Sequence, residues 1–278
     1  MTGALAFIVD VEFVWGFQSR IAGLSKTSPS FFYPPPTTFL GALGESIARK
    51  LAVGESAGRE IITSLSRNLL AFGVRPLNCV PQKYEDLNKI IAVKVTGGIH
   101  YPDPRNIFGS YDSPARGKTI LVSLDNNSPL IRFFLVFKKC QVEFGERSVE
   151  LDQDSFWRIH RLGSKESVVS VIDVRRKDGV EVEEGRTTSK CSFPLTNGVK
   201  PCAELQGRWF YEVYTRPKDL LYSDKANPIL TYLKKENLIP FLIPILITRS
   251  SEPEYLIEVS DPAAFYRVDE ETVVGWRG

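Results

Sequence analysis

The chain is poor in the groups that metal and acid–base chemistry most often use. It holds two histidines, His100 and His160, and four cysteines, Cys79, Cys140, Cys191 and Cys202. No cysteine pair has C-x-x-C spacing and no histidine lies close in sequence to a cysteine, so the usual zinc-ligand patterns are missing. The cysteines read as reduced thiols, mostly buried as small hydrophobes. An excess of charge is missing too: 35 Lys and Arg stand against 33 Asp and Glu, a net charge of +2. Proteins that coat long nucleic acids are usually more basic, so any RNA contact must be local, with cations gathered on one face. The N-terminus lacks a basic stretch followed by a cleavage-like site. The most apolar stretch, residues 239–247, is too short to span a bilayer and contains Pro240 and Pro244. The expectation is a cytoplasmic protein with no membrane partner. Internal repeats and low-complexity tracts are absent. Gly163-Ser164-Lys165 superficially resembles a phosphate-binding loop, but the G-x-x-x-x-G-K-[ST] pattern is not there, and nucleotide hydrolysis is not expected.

What remains is an ordinary globular composition over 278 residues, 43% hydrophobic and 24% charged, enough to bury a core without disulfide or metal staples. Residues 5–15 begin apolar and then alternate. Val9, Val11 and Phe13 point one way and Asp10 and Glu12 the other, as in a half-buried strand. Apolar residues at 39, 40, 43, 47 and 51 predict a helix over 37–53, with Thr37 or Thr38 as N-cap and Gly54 as its stop. A second helical piece follows over 57–69. Strands are expected at 70–74, 89–95, 120–124, 131–137 and 168–174, and a helix at 152–162. A Gly-, Pro-, Asp- and Arg-rich excursion occupies 97–118. Beyond residue 175 come short strands, at 209–214, 238–247 and 255–259. The class is therefore α+β. The order over residues 1–174 is compatible with a βαββαβ ferredoxin-like (RRM-like) unit, whose sheet is a common platform for RNA. Residues 175–278 form a β-rich C-terminal part.

Three constellations could carry function. Residues 13–38 contain Arg20 and Lys26, no acid, and the aromatics Phe13, Trp15, Phe17, Phe31, Phe32 and Tyr33. Exposed aromatics can stack on unpaired bases at about 1–3 kcal/mol each. Pro34, Pro35 and Pro36 hold the approach to the helix extended. The amides of Thr38 and Phe39, with the hydroxyls of Thr37 and Thr38, would form a phosphate seat at the helix start. The competing reading is that the aromatics are core and the prolines ordinary helix initiation. Gly41 and Gly44 inside the helix imply close approach of the sheet, of nucleic acid or of a neighbouring subunit. The second constellation is Arg158, His160, Arg161 and the turn Gly163-Ser164-Lys165-Glu166-Ser167. The cations suit a last helical turn, while Ser164 and Lys165 suit an RNA backbone. The third is Gly97-Gly98-Ile99-His100-Tyr101-Pro102 with Arg105, Phe108, Tyr111, Arg116 and Lys118. His100 and Tyr101 could serve metal-independent RNA cleavage; a basic, aromatic finger that grips RNA or a neighbour is the other reading.

Three stretches carry a family resemblance: the strand running into Trp15-Gly16-Phe17, Tyr33-Pro34-Pro35-Pro36-Thr37-Thr38-Phe39-Leu40-Gly41-Ala42-Leu43, and Arg161-Leu162-Gly163-Ser164-Lys165-Glu166-Ser167. Together they resemble the fifth family of CRISPR-associated proteins, in its archaeal type I-A branch. The resemblance is firm over residues 5–55 and 158–174, looser in the excursion, and reduced to β-richness in the last hundred residues. It implies a RAMP-type protein with a ferredoxin-like domain, a protruding β-hairpin thumb near 97–118 and a β-rich C-terminal part. It also implies a subunit that caps the 5′ handle of crRNA within Cascade, contacts the backbone and large subunits, and meets target DNA only through the assembled complex. Members of one bacterial branch cleave pre-crRNA themselves, but His100 and Tyr101 only loosely echo their arrangement, so catalysis is not expected. No cofactor or metal is implied. The expected RNA-binding residues are Trp15, Phe17, Arg20, Lys26, Tyr33, Thr37, Thr38, Arg105, Arg161, Ser164 and Lys165.

Overall fold

In the computed structural model the N-terminal apolar run forms strand β1 (Ala4–Phe13). The structure describes residues 3–19, 29–86, 94–96, 99–101, 116–217, 237–248 and 250–278, with the side chains of 85–86, 94–96, 99–101 and 116 also outside the description. Burial of β1 departs from the alternating pattern. Val9, Val11 and Phe13 enter the main core, while Ala6 and Ile8 enter a second core on the opposite face. Asp10 on that second face is only 6% exposed and receives two 2.7 Å bonds from the Arg132 guanidinium. A pair in this fork geometry neutralises a carboxylate that burial would otherwise penalise.

Strands β3 (Leu69–Pro76), β8 (Leu130–Phe137) and β11 (Val169–Val180) pair with β1 in the order β11-β1-β8-β3, every neighbour antiparallel. Between β1 and β3 lie helices α1 (Pro36–Lys50) and α2 (Glu55–Asn68); a short α3 (Gln153–Trp157) lies between β8 and β11. Helices and sheet meet through aromatic rings. Phe39 of α1 lies 4.8 Å from Phe133 of β8, and Phe156 of α3 lies 4.4 Å from Phe7 of β1.

β20 (Glu271–Trp276), β19 (Ala263–Val268) and β12 (Val182–Glu183) continue the sheet to seven strands beyond β3. β12 follows β11 after one residue, Glu181, yet lies at the other end of the strand order. The sheet is therefore strongly curled, and the amide of Arg267 in β19 reaches the Glu181 carbonyl at 3.3 Å. Tyr266, Val268 and Val273 from these late strands cover Ala6, Ile8, Phe134 and Val136. The second face, which an RNA-binding sheet would leave open, is occupied over that area by the chain's own C-terminal residues. The sheet also takes strands from both sides of residue 174.

The C-terminal residues add β13 (Gly185–Ser189), β18 (Glu254–Val259) and β15 (Val199–Gln206) as one small sheet. β14 (Phe193–Pro194), β17 (Leu238–Ile245) and β16 (Arg208–Thr215) form another. A hairpin of β9 (Gln141–Phe144) and β10 (Arg147–Glu150) packs near α2.

The helix boundaries correct three expectations. The residue preceding α1 is Pro35, with Pro36 at the first position and no side-chain cap, rather than Thr37 or Thr38. Proline at that position has no amide to satisfy and a preset φ, so the helix starts one step earlier. α1 also ends earlier, at Lys50. Ala52 adopts φ +52°, and Gly54 precedes α2 instead of stopping α1. The helix expected over 152–162 stops at Trp157. Asp152 does cap it, accepting from the Ser155 amide at 3.0 Å. Ile159 and Leu162 then turn into the core, and Arg161 bridges to Val168, so Arg158, His160 and Arg161 do not form a last helical turn.

The two glycines of α1 separate cleanly. A Cβ on Gly44 would lie 2.2 Å from Cγ1 of Ile62 in α2, so the close approach is by the second helix, not by the sheet; a Cβ on Gly41 meets nothing within 4 Å. Gly41→Ala is expected to stabilise the protein by about 0.5–1 kcal/mol through helix propensity. Gly44→Ala is expected to destabilise it by about 1–3 kcal/mol through overpacking. Urea denaturation of both variants measures the pair.

Candidate nucleic-acid interface

Gly16 starts the assembly of the site. Its φ is +145°, and an added Cβ would lie 2.1 Å from the Thr119 carbonyl oxygen, so only glycine lets the chain lie this close. The result is a two-residue strand, β2 (Gly16–Phe17), paired with β7 (Arg116–Ser123) through Gly16↔Ile120 and Phe17↔Thr119. The Leu121 amide also donates to the Trp15 carbonyl at 3.0 Å. β7 pairs along its whole length with β4 (Cys79–Asp86), from Cys79↔Ser123 to Asp86↔Arg116. Gly16 and Phe17 are thus the third strand at the root of a ribbon that leads into and out of residues 87–115. Within that stretch β5 (Lys94–Thr96) and β6 (Ile99–Tyr101) pair antiparallel.

One residue further on, Gln18 holds the second constellation. Its amide donates to the Ser167 hydroxyl at 2.9 Å, and its carbonyl accepts from the Ser164 amide at 2.9 Å. Gly163 adopts φ +122°, and a Cβ there would lie 2.5 Å from the Gln18 carbonyl oxygen. The Trp15 indole N–H donates to the Glu166 carbonyl at 2.8 Å. Within the turn, the Ser164 hydroxyl donates to Glu166 Oε2 at 2.9 Å and the Leu162 amide to the Ser167 carbonyl at 3.0 Å.

The proline-rich segment closes the junction. The Phe31 amide donates to the Ser19 carbonyl at 3.1 Å, the Thr119 hydroxyl donates to the Phe31 carbonyl, and the hydroxyls of Ser19 and Thr38 lie 2.7 Å apart. Three segments distant in sequence, 15–19 with 31–38, 79–86 with 116–123, and 161–167, therefore share one hydrogen-bonded junction.

Placement sorts the expected RNA-binding residues. Lys165 is exposed, and Trp15, Thr37, Thr38, Arg161 and Ser164 are half-buried. Arg20, Lys26 and Arg105 lie outside the described residues, as do the side chains of His100 and Tyr101. Phe17 and Tyr33 are fully buried, with Phe13 and Phe31 beside them in the core. Neither Phe17 nor Tyr33 presents a ring to a base, which corrects the expectation of stacking there. The Tyr33 hydroxyl donates to the Pro244 carbonyl at 2.9 Å, and burial pushes its phenol well above the ordinary range. The phosphate seat also needs correction. The amides of Thr38 and Phe39 both donate to the Pro35 carbonyl, at 3.0 and 3.1 Å, so they are already used.

Two groups are not evident from the sequence. The outer face of the ribbon exposes Tyr84, Ile120 and Val122, with Lys118 directly opposite Tyr84; Pro81 argues against a strand there. Glu212 of β16 is 5% exposed and reaches the ribbon by a 2.8 Å ion pair with Lys83. Its signal is a single acid within the aromatic run Trp209-Phe210-Tyr211-Glu212-Val213-Tyr214.

The junction carries the exposed Lys165, the half-buried Arg161 and the half-buried Trp15 indole, chemistry suited to holding a phosphodiester backbone. Among the described residues no group of three His, Cys, Asp or Glu is gathered as for a metal. Cys79 and Cys191 are both buried, which pushes their thiols up to about 12.

No family model matches the chain. Over 174 residues, 61% of this chain, it is 28% identical to the CRISPR-associated protein Cas5 2 of Saccharolobus solfataricus. That match spans 59% of the curated relative's length. Among solved structures, a CRISPR protein from Archaeoglobus fulgidus is 42% identical, with 98% of this chain and 100% of that chain covered and a TM-score of 0.72.

Gly163→Ala strains both the backbone and its contact with Gln18. The expected loss is on the order of 1–3 kcal/mol, read by denaturant unfolding, with faster amide exchange at Gln18 and Ser164 than in the unsubstituted protein.

Proposed function

The chain belongs to the Cas5 family of CRISPR-associated proteins, and we propose that it caps the 5′ handle of mature crRNA in a type I-A Cascade complex without cutting it. The observation that carries this reading is the junction itself. The root of the ribbon, the approach to α1 and the Gly163–Ser167 turn are bonded into one junction, which we take as the RNA rim; Lys118 belongs to its β7 segment and Arg161 and Lys165 to its turn segment. A single RNA end needs only such a local cationic patch, which agrees with a net charge of +2. The order β11-β1-β8-β3, with α1 and α2 after β1 and α3 after β8, supports reading this part as a ferredoxin-like RAMP domain. We take the β4–β7 ribbon and the excursion beyond it as the thumb. The backbone and large subunits of Cascade are the proposed protein partners, in the archaeal branch of the system, and target DNA is met only in the assembled complex. No helix among the described residues is long and apolar enough to cross a membrane; the proposed setting is the cytoplasm.

RNA carrying the handle is expected to bind in a salt-dependent manner. Arg20→Ala, Lys26→Ala and Lys165→Ala should each weaken it and lower the salt slope by about one. Unchanged affinity and slope in all three would remove this placement of the RNA. Purified protein incubated with repeat RNA in EDTA is expected to leave it intact. Specific cleavage that disappears in His100→Ala would instead make the protein a processing endoribonuclease.

A further inference from the structure

We propose that Glu212, acting with Lys83, is a positioning residue of the RNA rim: it locks the backbone at Phe32 to the root of the ribbon, so that both present one fixed surface. This rests on the RNA-binding reading above. Glu212 comes from β16, far along the chain, and joins three elements through one carboxylate. Both its oxygens accept from the Phe32 amide, at 3.0 Å each. Oε1 accepts from the Lys83 ammonium of β4 at 2.8 Å, and Oε2 from the Tyr214 hydroxyl at 2.9 Å. The same ammonium sits 3.7 Å from the centroid of the Phe32 ring, which also lies 5.8 Å from the Phe210 ring of β16.

Stability alone is a poor reason for this arrangement. The Glu212 side chain is 3% exposed and that of Lys83 30%, and a buried ion pair is often no better for stability than apolar residues of the same volume. Direction is what the pair supplies. Apolar packing would let Phe32 and the ribbon slide against each other, whereas a carboxylate fully used by named donors fixes their relative position. Phe32 lies two residues before Pro34, directly upstream of α1, and Lys83 lies three residues before the last residue of β4. The lock therefore joins two of the three segments that make the rim.

The groups facing the carboxylate are Lys83 from β4, Tyr214 from its own strand and Tyr33 from the proline-rich segment. Burial pushes the Glu212 carboxyl above its usual range, and Lys83 pulls it partly back. As pH falls through that raised value the carboxyl takes up a proton and its charge attraction to Lys83 is lost, so binding should weaken on acidification.

The test is affinity for handle-bearing RNA as a function of pH, with folding checked by circular dichroism, in the unsubstituted protein, Glu212→Gln, Lys83→Met and Lys83→Arg. Glu212→Gln keeps the shape and an acceptor but loses the charge. We expect it to bind about tenfold more weakly in mildly alkaline buffer, and to lack the further loss that the unsubstituted protein shows on acidification. Lys83→Met should match it, and Lys83→Arg should restore most of the affinity. An absence of RNA binding by the unsubstituted protein would overturn the proposed function and this inference together. Folded Glu212→Gln with normal affinity, or with the same pH profile as the unsubstituted protein, would overturn this inference alone.

Discussion

The backbone of residues 16–18 is held on two sides at once, and the architecture of the candidate site depends on that constraint. Gly16 and Phe17 are paired with β7, and Gln18 exchanges hydrogen bonds with Ser164 and Ser167, about 150 residues away in sequence. Glycine is required at both contacts. Gly16 admits the Thr119 carbonyl, and Gly163 admits the Gln18 carbonyl. A side chain at either position would separate segments that cannot find one another by local structure. Two of the three stretches that carry the family resemblance, the strand into Trp15-Gly16-Phe17 and the Arg161–Ser167 turn, therefore meet in one joint rather than forming separate functional loops.

The sheet supports the joint, and the chain's own residues pack on both of its faces. Its helix side is filled by rings such as Phe39, Phe133 and Phe156, and the opposite side is covered over much of its area by Tyr266, Val268 and Val273. Ion pairs fasten that cover at one end. Arg75 of β3 bonds Glu252 at 2.7 Å and also pairs with Glu271, while Lys190 bonds Glu252 at 2.7 Å. With both faces engaged among the described residues, the proposed function puts the RNA on the rim where loops and ribbon leave the sheet. A small net charge is sufficient for that geometry, because a few cations on a rim act at short range. The C-terminal strands take part through Glu212 as well as through burial, since its carboxylate bonds both the Phe32 amide and Lys83 of the ribbon.

Much of this architecture is legible in the amino-acid sequence, and the remainder is hidden for physical reasons. The strongly apolar strands at 70–74 and 131–137 are plain because a buried strand has little other reading. The far end of the first, Arg75 and Pro76, carries no such signal, and that strand runs further than its apolar run does. β4 is invisible because Pro81, Lys83, Glu85 and Asp86 give it the composition of a loop; it is a strand because β7 pairs with it throughout. The aromatics of residues 13–33 are open between stacking and packing. Periodicity cannot decide that in a loop, where tertiary contacts alone determine which way a ring turns, and four of the six are core. The helix expected over 152–162 falls short for a similar reason. Ile159 and Leu162 suit a helical stripe, but they are buried from an extended segment that Gly163 turns back. Least visible is Glu212, whose partners lie about 130 and 180 residues away in the sequence.

The proposed function requires one RNA end to lie on this rim. Zero-length crosslinking of an assembled complex, with a photoreactive nucleotide at the first positions of the crRNA handle, measures it most directly. Crosslinked peptides from residues 15–38, from 161–167 and from the root of the β4–β7 ribbon are expected. Crosslinks confined to the β13, β15 and β18 sheet, or none to this subunit, would contradict it.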